Sequence, residues 1–539
     1  MAKLLRIKLD SGTVNEQEVD DLEGGRLLTS RLIAEEVPPL CHPLGPENIL
    51  VFATGPLAVP SLSGAGRLSV GAKSPLTGGI KEANSGGTAA FALSRQGIRA
   101  LVLEGCTDAQ KGPYLLLVEK GSAKLLDAEK YQGMSNTHLN MHLKERFGDK
   151  VSLITNGPAG EMKLTGAGIS ISDPQGRLSR FAARGGLGAV MGAKGVKAIV
   201  IRHEENYPRP KTEQFAEFLK QSVEVLQADY AATKVFPVFG TASMVEFSNT
   251  LGCLPTHNFT AGQFEEHENI SGETLANIIR ERGGEGKAGH RCMAGCLVRC
   301  SNIYADSDGK EVVSPLEYET IGMLGSNLGI GDLDAIAHMN SICNDVGLDT
   351  IETGAALGVA MEAGLLKFGD AEQALSLLRE VEKGSDLGRL LGSGAVTVAK
   401  VYGVSRVPAV KGQAISAYDP RAVKGTGVTF ATSPQGADHT AGLTIFLKID
   451  HSKPDGQVEI SRDLQISRAG IDSLGLCSFN AGPLSKESGI IQGLLSSFYG
   501  IEVSQDILNE LGRRVLEFEL RFNRAAGIGS NHDRLPHFM

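Results

Sequence analysis

The sequence predicts an α+β protein: a β-rich N-terminal domain over residues 1–205, followed by a mainly helical remainder. Three observations predict it. Short apolar runs bounded by Gly, Pro and Asp fill the first 205 residues. Apolar residues at three- and four-residue spacing take over beyond a Tyr-Pro-Arg-Pro linker at 207–210. And the β-rich part contains an internal echo, offset by about 100 residues.

The opening stretch 1–10 alternates charged and apolar residues as a strand does, and apolar runs at 49–52, 100–103, 114–118, 151–154 and 198–201 read as further strands. The echo pairs Gly86-Gly87 with Gly185-Gly186, and the run 98–103 with 196–201. Each copy passes from a Gly pair through a small-residue helix to a strand, so the domain divides into two related halves. Each half offers one glycine-rich helix N-terminus, where free N–H groups and the positive dipole end favour an anion. Two such ends face to face suit a ligand with two phosphates. Helices are predicted at 213–227, 273–282, 332–344, 350–366, 371–382, 386–402 and 504–524, with 403–480 richer in loops.

Composition is that of a soluble globular protein, 42% hydrophobic and 21% charged. No apolar run reaches bilayer length, and the N-terminus lacks a signal-peptide core, so a cytoplasmic location and no membrane partner are expected. A net charge of -9 without any basic run argues against nucleic-acid binding. Glycine is abundant, 67 residues of 539, against about 7% in average proteins. Paired glycines suggest backbone closing on a ligand.

Of eight cysteines, three are clustered: Cys292, Cys296 and Cys300, at i, i+4 and i+8. On a helix, successive members rotate by about 40° and share one face, whereas Gly295 favours a loop. Three thiolates need a fourth ligand for an iron–sulfur cubane or a tetrahedral zinc, and inert buried cysteines are the third reading. The spacing is not the CxxxCxxC of radical enzymes that cleave S-adenosylmethionine.

Two hexapeptides share a form: Asn344-Asp-Val-Gly-Leu-Asp349 and Asp472-Ser-Leu-Gly-Leu-Cys477. Short carboxylates and amides on Gly turns suit donor-rich heterocycles such as a pterin. The plain alternative is a helix end capped by left-handed Gly. The second copy ends in Cys477, a natural fourth ligand. Arg67 and Lys73-Ser-Pro-Leu-Thr-Gly78 precede the first Gly pair; Arg180-Phe-Ala-Ala-Arg184 precedes the second. The series Gly186, Gly188, Gly192 has the wrong spacing for a dinucleotide loop. Acid/base candidates are Glu317 and Glu319 after Pro315, Asp419-Pro-Arg421, and Asp438-His439.

Together these motifs resemble the aldehyde:ferredoxin oxidoreductase family of tungsten enzymes. The resemblance runs from Arg67 to Cys477 and is most specific in Arg184-Gly-Gly-Leu-Gly-Ala-Val-Met-Gly-Ala-Lys194. It implies an N-terminal domain of two sheets related by a pseudo-twofold, followed by two mainly α-helical domains over 206–402 and 403–539. It implies tungsten, or molybdenum, held by two pterins, with magnesium bridging their phosphates. Arg67, Asn84, Gly86, Arg180, Ala183 and Arg184 would line the phosphate side, with Asn84 and the Phe181 carbonyl near magnesium. Asn344, Leu348, Asp349, Asp472 and Leu476 would hold the pterin rings. Cys292, Cys296, Cys300 and Cys477 would bind a [4Fe–4S] cluster. Glu319 would act as general base and His439 would hydrogen-bond the aldehyde oxygen.

The chain departs from the family pattern at three points. The usual cysteine spacing is CxxCxxxC, Asn344 stands where Asp is common, and 335–340 lacks the Glu-x-x-His pair that bridges subunits through a metal in an archaeal member. The implied activity is oxidation of aldehydes to carboxylic acids, with electrons passing to ferredoxin or an iron–sulfur subunit. Relatives in the superfamily instead reduce aromatic acyl thioesters or oxidise sugars. A zinc-stapled binding module is the non-enzymatic alternative. The choice of metal, the substrate, the acceptor and the homo- or hetero-oligomeric state stay open.

Overall fold

A computed structural model describes residues 2–107, 112–204 and 212–539; the linker read at 207–210 lies outside them. The first half of the N-terminal region comprises β1 (Ala2–Lys8), β2 (Thr13–Val19), α1 (Gly25–Glu36), β3 (Leu50–Thr54), β4 (Leu68–Lys73), β5 (Ile80–Ser85), α2 (Ala89–Arg95) and β6 (Ile98–Glu104). The second half comprises β7 (Tyr114–Glu119), β8 (Ser122–Asp127), α3 (Asn136–Phe147), β9 (Val151–Asn156), the single-turn α4 (Pro158–Glu161), β10 (Ile169–Ser172), β11 (Leu178–Ala182), α5 (Leu187–Ala193) and β12 (Val196–Arg202).

The sheet orders β2-β1-β6-β3-β4-β5 and β8-β7-β12-β9-β10-β11 correspond strand for strand. In each, one pair is parallel, β1 with β6 and β7 with β12. The echo in the sequence is therefore a repeated fold, and the expected two-sheet architecture is present. The strands read as continuous apolar runs because both faces are buried. Leu101 and Leu103 of β6, with Ile199 and Ile201 of β12, point into a core shared by the two sheets. The alternate residues Ala100 and Val102 pack with α1, and Ala198 and Val200 with α3.

The remainder is mainly helical. The helices Glu213–Ala228, Gly272–Arg282, Leu333–Val346, Thr350–Glu362, Ala371–Lys383 and Ile507–Ala525 follow the sequence expectation closely. The helix expected at 386–402 is instead two, Asp386–Gly392 and Ala395–Tyr402. Gly394 breaks it at φ 92°, and a β-carbon there would lie 2.6 Å from Glu352 Oε1. One apolar core runs from Ala159 through Ile445; a second joins Phe215 and Leu226 to the C-terminal helices. Among the described residues no helix is long and apolar enough to cross a membrane.

The two hexapeptides obey the same pseudo-twofold. Each ends a helix with Gly at positive φ, Gly347 at 88° and Gly475 at 67°. Each packs on a Gly-Pro turn leaving the matched strands β9 and β3. A β-carbon at Gly157 would lie 2.3 Å from Val346 O, and one at Gly55 only 1.9 Å from Leu474 O. Gly168 N–H donates to Gly347 O at 3.0 Å, and Arg67 N–H to Gly475 O at 3.1 Å. The local reading of a Gly-capped helix end is correct, and that cap is what aims the following residues inward.

Candidate active site

The cysteine segment is a loop between the strands Lys287–His290 and Ser301–Ala305, not a helix. Gly295 at φ 72° and Arg299 at φ 49° break the helical path. A side chain at Gly295 would strike Pro60 O at 2.2 Å, so the loop lies against the N-terminal domain. Cys292, Cys296 and Cys300 fall in one small apolar cluster with Met293, Phe91 and Phe479. The Cys292 thiol is pushed up by its hydrogen bond to Cys296 and by burial, and Cys300 by burial. Cys296 is lowered by the bond from Cys292, against burial. The charge of Cys477 bears on both Cys296 and Cys300. Cys477 starts the short helix Ser478–Leu484, and its N–H donates to Gly64 O at 2.8 Å. Cys477 bears on the loop cysteines electrostatically although it lies 177 residues beyond Cys300. Among the described residues no three His, Cys, Asp or Glu side chains are grouped to hold one metal ion.

Gly86 borders these thiols: a β-carbon there would sit 3.2 Å from Cys292 Sγ. Two residues earlier, Asn84 accepts a short hydrogen bond from Arg67 Nε, and Arg67 Nη2 reaches its carbonyl at 2.9 Å. Asn84 Nδ2 donates to Asp472 Oδ1 at 3.3 Å. Arg26 meets Asp472 Oδ2 at 3.3 Å and forks onto Glu519 at 2.9 Å twice. Burial raises the Asp472 carboxyl, and burial beside Asp472 raises Glu82 to about 7.

The second half mirrors this arrangement. Arg184 Nε lies 3.1 Å from Asp349 Oδ2, and Arg184 Nη2 donates to Ala414 O at 2.6 Å. Asp349 Oδ1 caps the Thr350–Glu362 helix by accepting from Ile351 N at 3.0 Å. Glu352, buried inside that helix, accepts from Ala395 and Ala414 N–H at 3.0 and 2.9 Å, and burial lifts it to about 7. Arg180 donates to Ser301 Oγ at 2.8 Å, while its Nε and Nη2 are buried without a partner. Arg184 Nη1 is likewise unpartnered. Cationic groups buried with free donors are costly unless an anion meets them.

The other expected residues fall as follows. Phe181 pairs with Ser170 in the sheet, and Ala183 packs against Gly168. Leu348 bridges Ala167 and is buried; Leu476 is buried in the C-terminal core. The Asn344 carbonyl accepts from Asn136 Nδ2 at 2.8 Å. At each glycine-rich helix end one donor is taken by backbone. Thr88 N–H donates to Ser172 O at 2.9 Å and Gly188 N–H to Ala167 O at 3.0 Å, and both helices are only two turns long. Each end packs against the opposite half: Gly87 against Ile171, and Gly186 against Pro75.

Glu319 and His439, 120 residues apart in sequence, meet at 3.5 Å between Oε1 and Nε2. Ala417 N–H holds the other Glu319 oxygen at 2.7 Å, and burial pushes the carboxyl above the usual range. His439 Nδ1 lies 3.8 Å from Asp438, which pairs closely with the buried Lys81 and is held well below the usual carboxylate range against its burial. Lys81 also donates to Gln435, which bonds Glu519 at 3.0 Å. Glu317 bonds Thr241 instead, and Asp419 pairs locally with Arg421. Lys73 binds the Cys41 carbonyl, stapling backbone. Sequence reasoning missed Arg26, Lys81, Glu82, Glu352 and Glu519. Glu352 carries a signal, a single charge in the apolar run Thr350–Ala360.

Comparison with known proteins matches this arrangement. The family described as aldehyde ferredoxin oxidoreductase, N-terminal domain, matches residues 4–203, and its domains 2 and 3 match 217–539. A tungsten-containing aldehyde ferredoxin oxidoreductase of Pyrococcus abyssi is 33% identical over 99% of this chain and 90% of its own. The Pyrococcus furiosus enzyme of the same name is 31% identical with the same coverage. An aliphatic sulfonate oxidoreductase, WOR-like subunit, from that organism is 26% identical over 96% of this chain and 85% of its own. Among solved structures, the active-site complex BamBC of benzoyl coenzyme A reductase shares the fold at TM-score 0.81 and 17% identity, over 99% of this chain and 90% of the other. The chain is a member of the aldehyde ferredoxin oxidoreductase family, and so an oxidoreductase rather than a zinc-stapled binding module.

Proposed function

We propose that this oxidoreductase converts aldehydes to carboxylic acids at a bis-pterin tungsten centre and passes the electrons singly through a [4Fe–4S] cluster to ferredoxin or a partner iron–sulfur subunit. The half-reaction is RCHO + H2O → RCOOH + 2H⁺ + 2e⁻. The relatives at 33% and 31% identity carry tungsten, aldehyde and ferredoxin in their names. When bound, the tungsten centre supplies a two-electron acceptor and the cluster a one-electron exit.

The residues fit these groups. Arg67, Arg180 and Arg184 offer cationic donors, two of them with buried unpartnered N–H groups, as anionic phosphates require. Asn84 and the Phe181 carbonyl would approach magnesium; Gly86 and Ala183 leave room beside them. Asp349 and Asp472, with Asn344, Leu348 and Leu476, would receive the pterin rings. Cys292, Cys296, Cys300 and Cys477 would bind the cluster. Membership of a family whose relatives are named for ferredoxin favours an iron–sulfur cluster over zinc at these thiols.

Glu319 acts as base. Its Oε2 is fixed by Ala417 N–H, leaving Oε1 to take a proton from water. His439 Nε2 donates to the aldehyde oxygen and stabilises charge developing there. Asp438, anchored by Lys81, lies 3.8 Å from His439 Nδ1, an anionic neighbour beyond hydrogen-bond reach. The observation that carries the reading is that Asp472 and Cys477 share one Gly-centred turn, so a ring-binding carboxylate and a cluster thiol are held by the same backbone. The test is anaerobic purification with elemental analysis, then viologen reduction across a broad aldehyde panel. Tungsten, four irons and aldehyde-dependent reduction are expected. Inertness toward every aldehyde in a fully metallated preparation overturns the substrate assignment and leaves acyl thioester or sugar chemistry.

A further inference from the structure

We infer that a cation-lined hollow beside the cysteine loop is the docking surface for a small acidic one-electron carrier protein. The inference deepens the reading above, since it assigns the face through which electrons leave. The hollow, about 250 Å³, is lined by Gln175, Lys287, Gly289, His290, Arg291 and Arg299. Lys287, Arg291 and Arg299 are exposed, and none forms an ion pair among the described residues. By contrast Arg177, near Gln175 in sequence, is neutralised by Glu311 at 2.8 Å. Three uncompensated cations around one hollow reverse the sign of a chain whose net charge is -9. Such a cluster repels itself and gains when an anionic surface meets it.

Its position gives the charge a purpose. Arg291 and Arg299 directly adjoin Cys292 and Cys300, and Arg291 Nε donates to the Cys296 carbonyl at 3.1 Å. The floor is His290, buried at 2% exposure and held by Asp173 at 3.2 Å, so the hollow is rigid at its base. Gly289 leans on Pro237, whose carbonyl would lie 2.9 Å from a β-carbon there. The next residue, Val238, is 47% exposed, and Tyr230 on the same segment is 73% exposed. Apolar groups bordered by cations, beside the loop that carries the three cysteines, are what a carrier interface needs: electrostatic steering toward a position next to the thiols.

The occupant is a carrier protein rather than a small anion because of the electron count. Each aldehyde oxidised releases two electrons, and a one-electron carrier removes one, so two carriers dock and leave per turnover. A small, charge-steered, weak interface suits that exchange.

The test uses the holoenzyme, anaerobically, with an acidic bacterial ferredoxin as probe. The variant Lys287→Glu/Gln175→Glu alters two exposed side chains outside the proposed cofactor and catalytic residues. We expect its KM for ferredoxin, and its Kd for oxidised ferredoxin by calorimetry, to rise about tenfold at low salt. Wild-type affinity should fall steeply with ionic strength and the variant's less so. Iron content and aldehyde-dependent viologen reduction should stay at wild-type levels. The exposed remote variant Lys130→Glu should leave ferredoxin kinetics unchanged. Unchanged ferredoxin KM and Kd in the double variant overturn the proposal. So does loss of inorganic phosphate binding, or of a dimer by light scattering, with ferredoxin binding intact: the hollow then serves an anion or a second copy. If no aldehyde supports viologen reduction, the activity assignment fails, whereas the calorimetric binding still decides the docking surface.

Discussion

Arg184 and Asp349 meet at 3.1 Å, both side chains buried, and join the glycine-rich turn of the N-terminal domain to the start of the Thr350–Glu362 helix. Arg184 Nη1 has no hydrogen-bond partner. The pair is thus both an interdomain clamp and a half-satisfied site. Arg184→Met leaves Asp349 buried without its cation, which costs on the order of 3–5 kcal/mol. The expected outcome is a lower Tm and loss of bound tungsten by elemental analysis. Arg184→Lys should restore part of the Tm but less of the metal, since one ammonium does not reproduce the guanidinium fork.

Cys477→Ser removes the thiol that reaches the loop from the other side of the site. Iron per chain should fall below four and the reduced-cluster EPR signal should change. Four irons with an unchanged spectrum reject the fourth-ligand assignment.

Gly475→Ala tests the turn that carries both Asp472 and Cys477. The position has φ 67° and a β-carbon there meets Gly55 backbone at 2.8 Å. Strain on the order of 1–3 kcal/mol is expected, with a lower Tm and reduced iron together. An unchanged Tm means the turn yields more easily than its packing indicates.

The Glu319 carboxyl is raised by burial above its ordinary 4.5. As a base it works only when deprotonated, so kcat should rise with pH along an acid limb lying above that value. Glu319→Gln should abolish the limb and lower kcat by about 10²–10⁴. A surviving acid limb in the variant assigns the base elsewhere.

Glu352 titrates at about 7 against an ordinary 4.5, so the folded state keeps a proton that the unfolded chain has lost. Stability from this group is fully present below pH 4.5 and is lost as pH rises through about 7, by up to about 3 kcal/mol. Calorimetry of the metal-free protein should show Tm falling between those limits, with a flatter slope in Glu352→Gln. An identical slope in both proteins removes Glu352 as the source.

Local patterns carry the most legible features. The short continuous apolar runs mark the strands, and the Gly86-Gly87 and Gly185-Gly186 echo marks the repeat, because a duplicated fold keeps its turn glycines. The helix expected at 386–402 is two because Gly394 takes a positive φ and Glu352, a neighbour only in space, accepts the Ala395 N–H where the second begins. The surroundings of the glycine-rich ends are likewise set in space. Their donors at Thr88 and Gly188 are consumed by backbone, Thr88's from the opposite half of the domain, which no local pattern records.

The sequence by itself determined the class of the fold and the two hexapeptides, since these depend on residue type and spacing along one chain. Only the tertiary structure decided which charges share a site. Arg26, Lys81 and Glu519 are separated by up to 493 residues, and Glu319 reaches His439 across 120. Burial then sets their chemistry: removing a charge from water makes its partners matter, and partners are chosen by packing rather than by sequence distance.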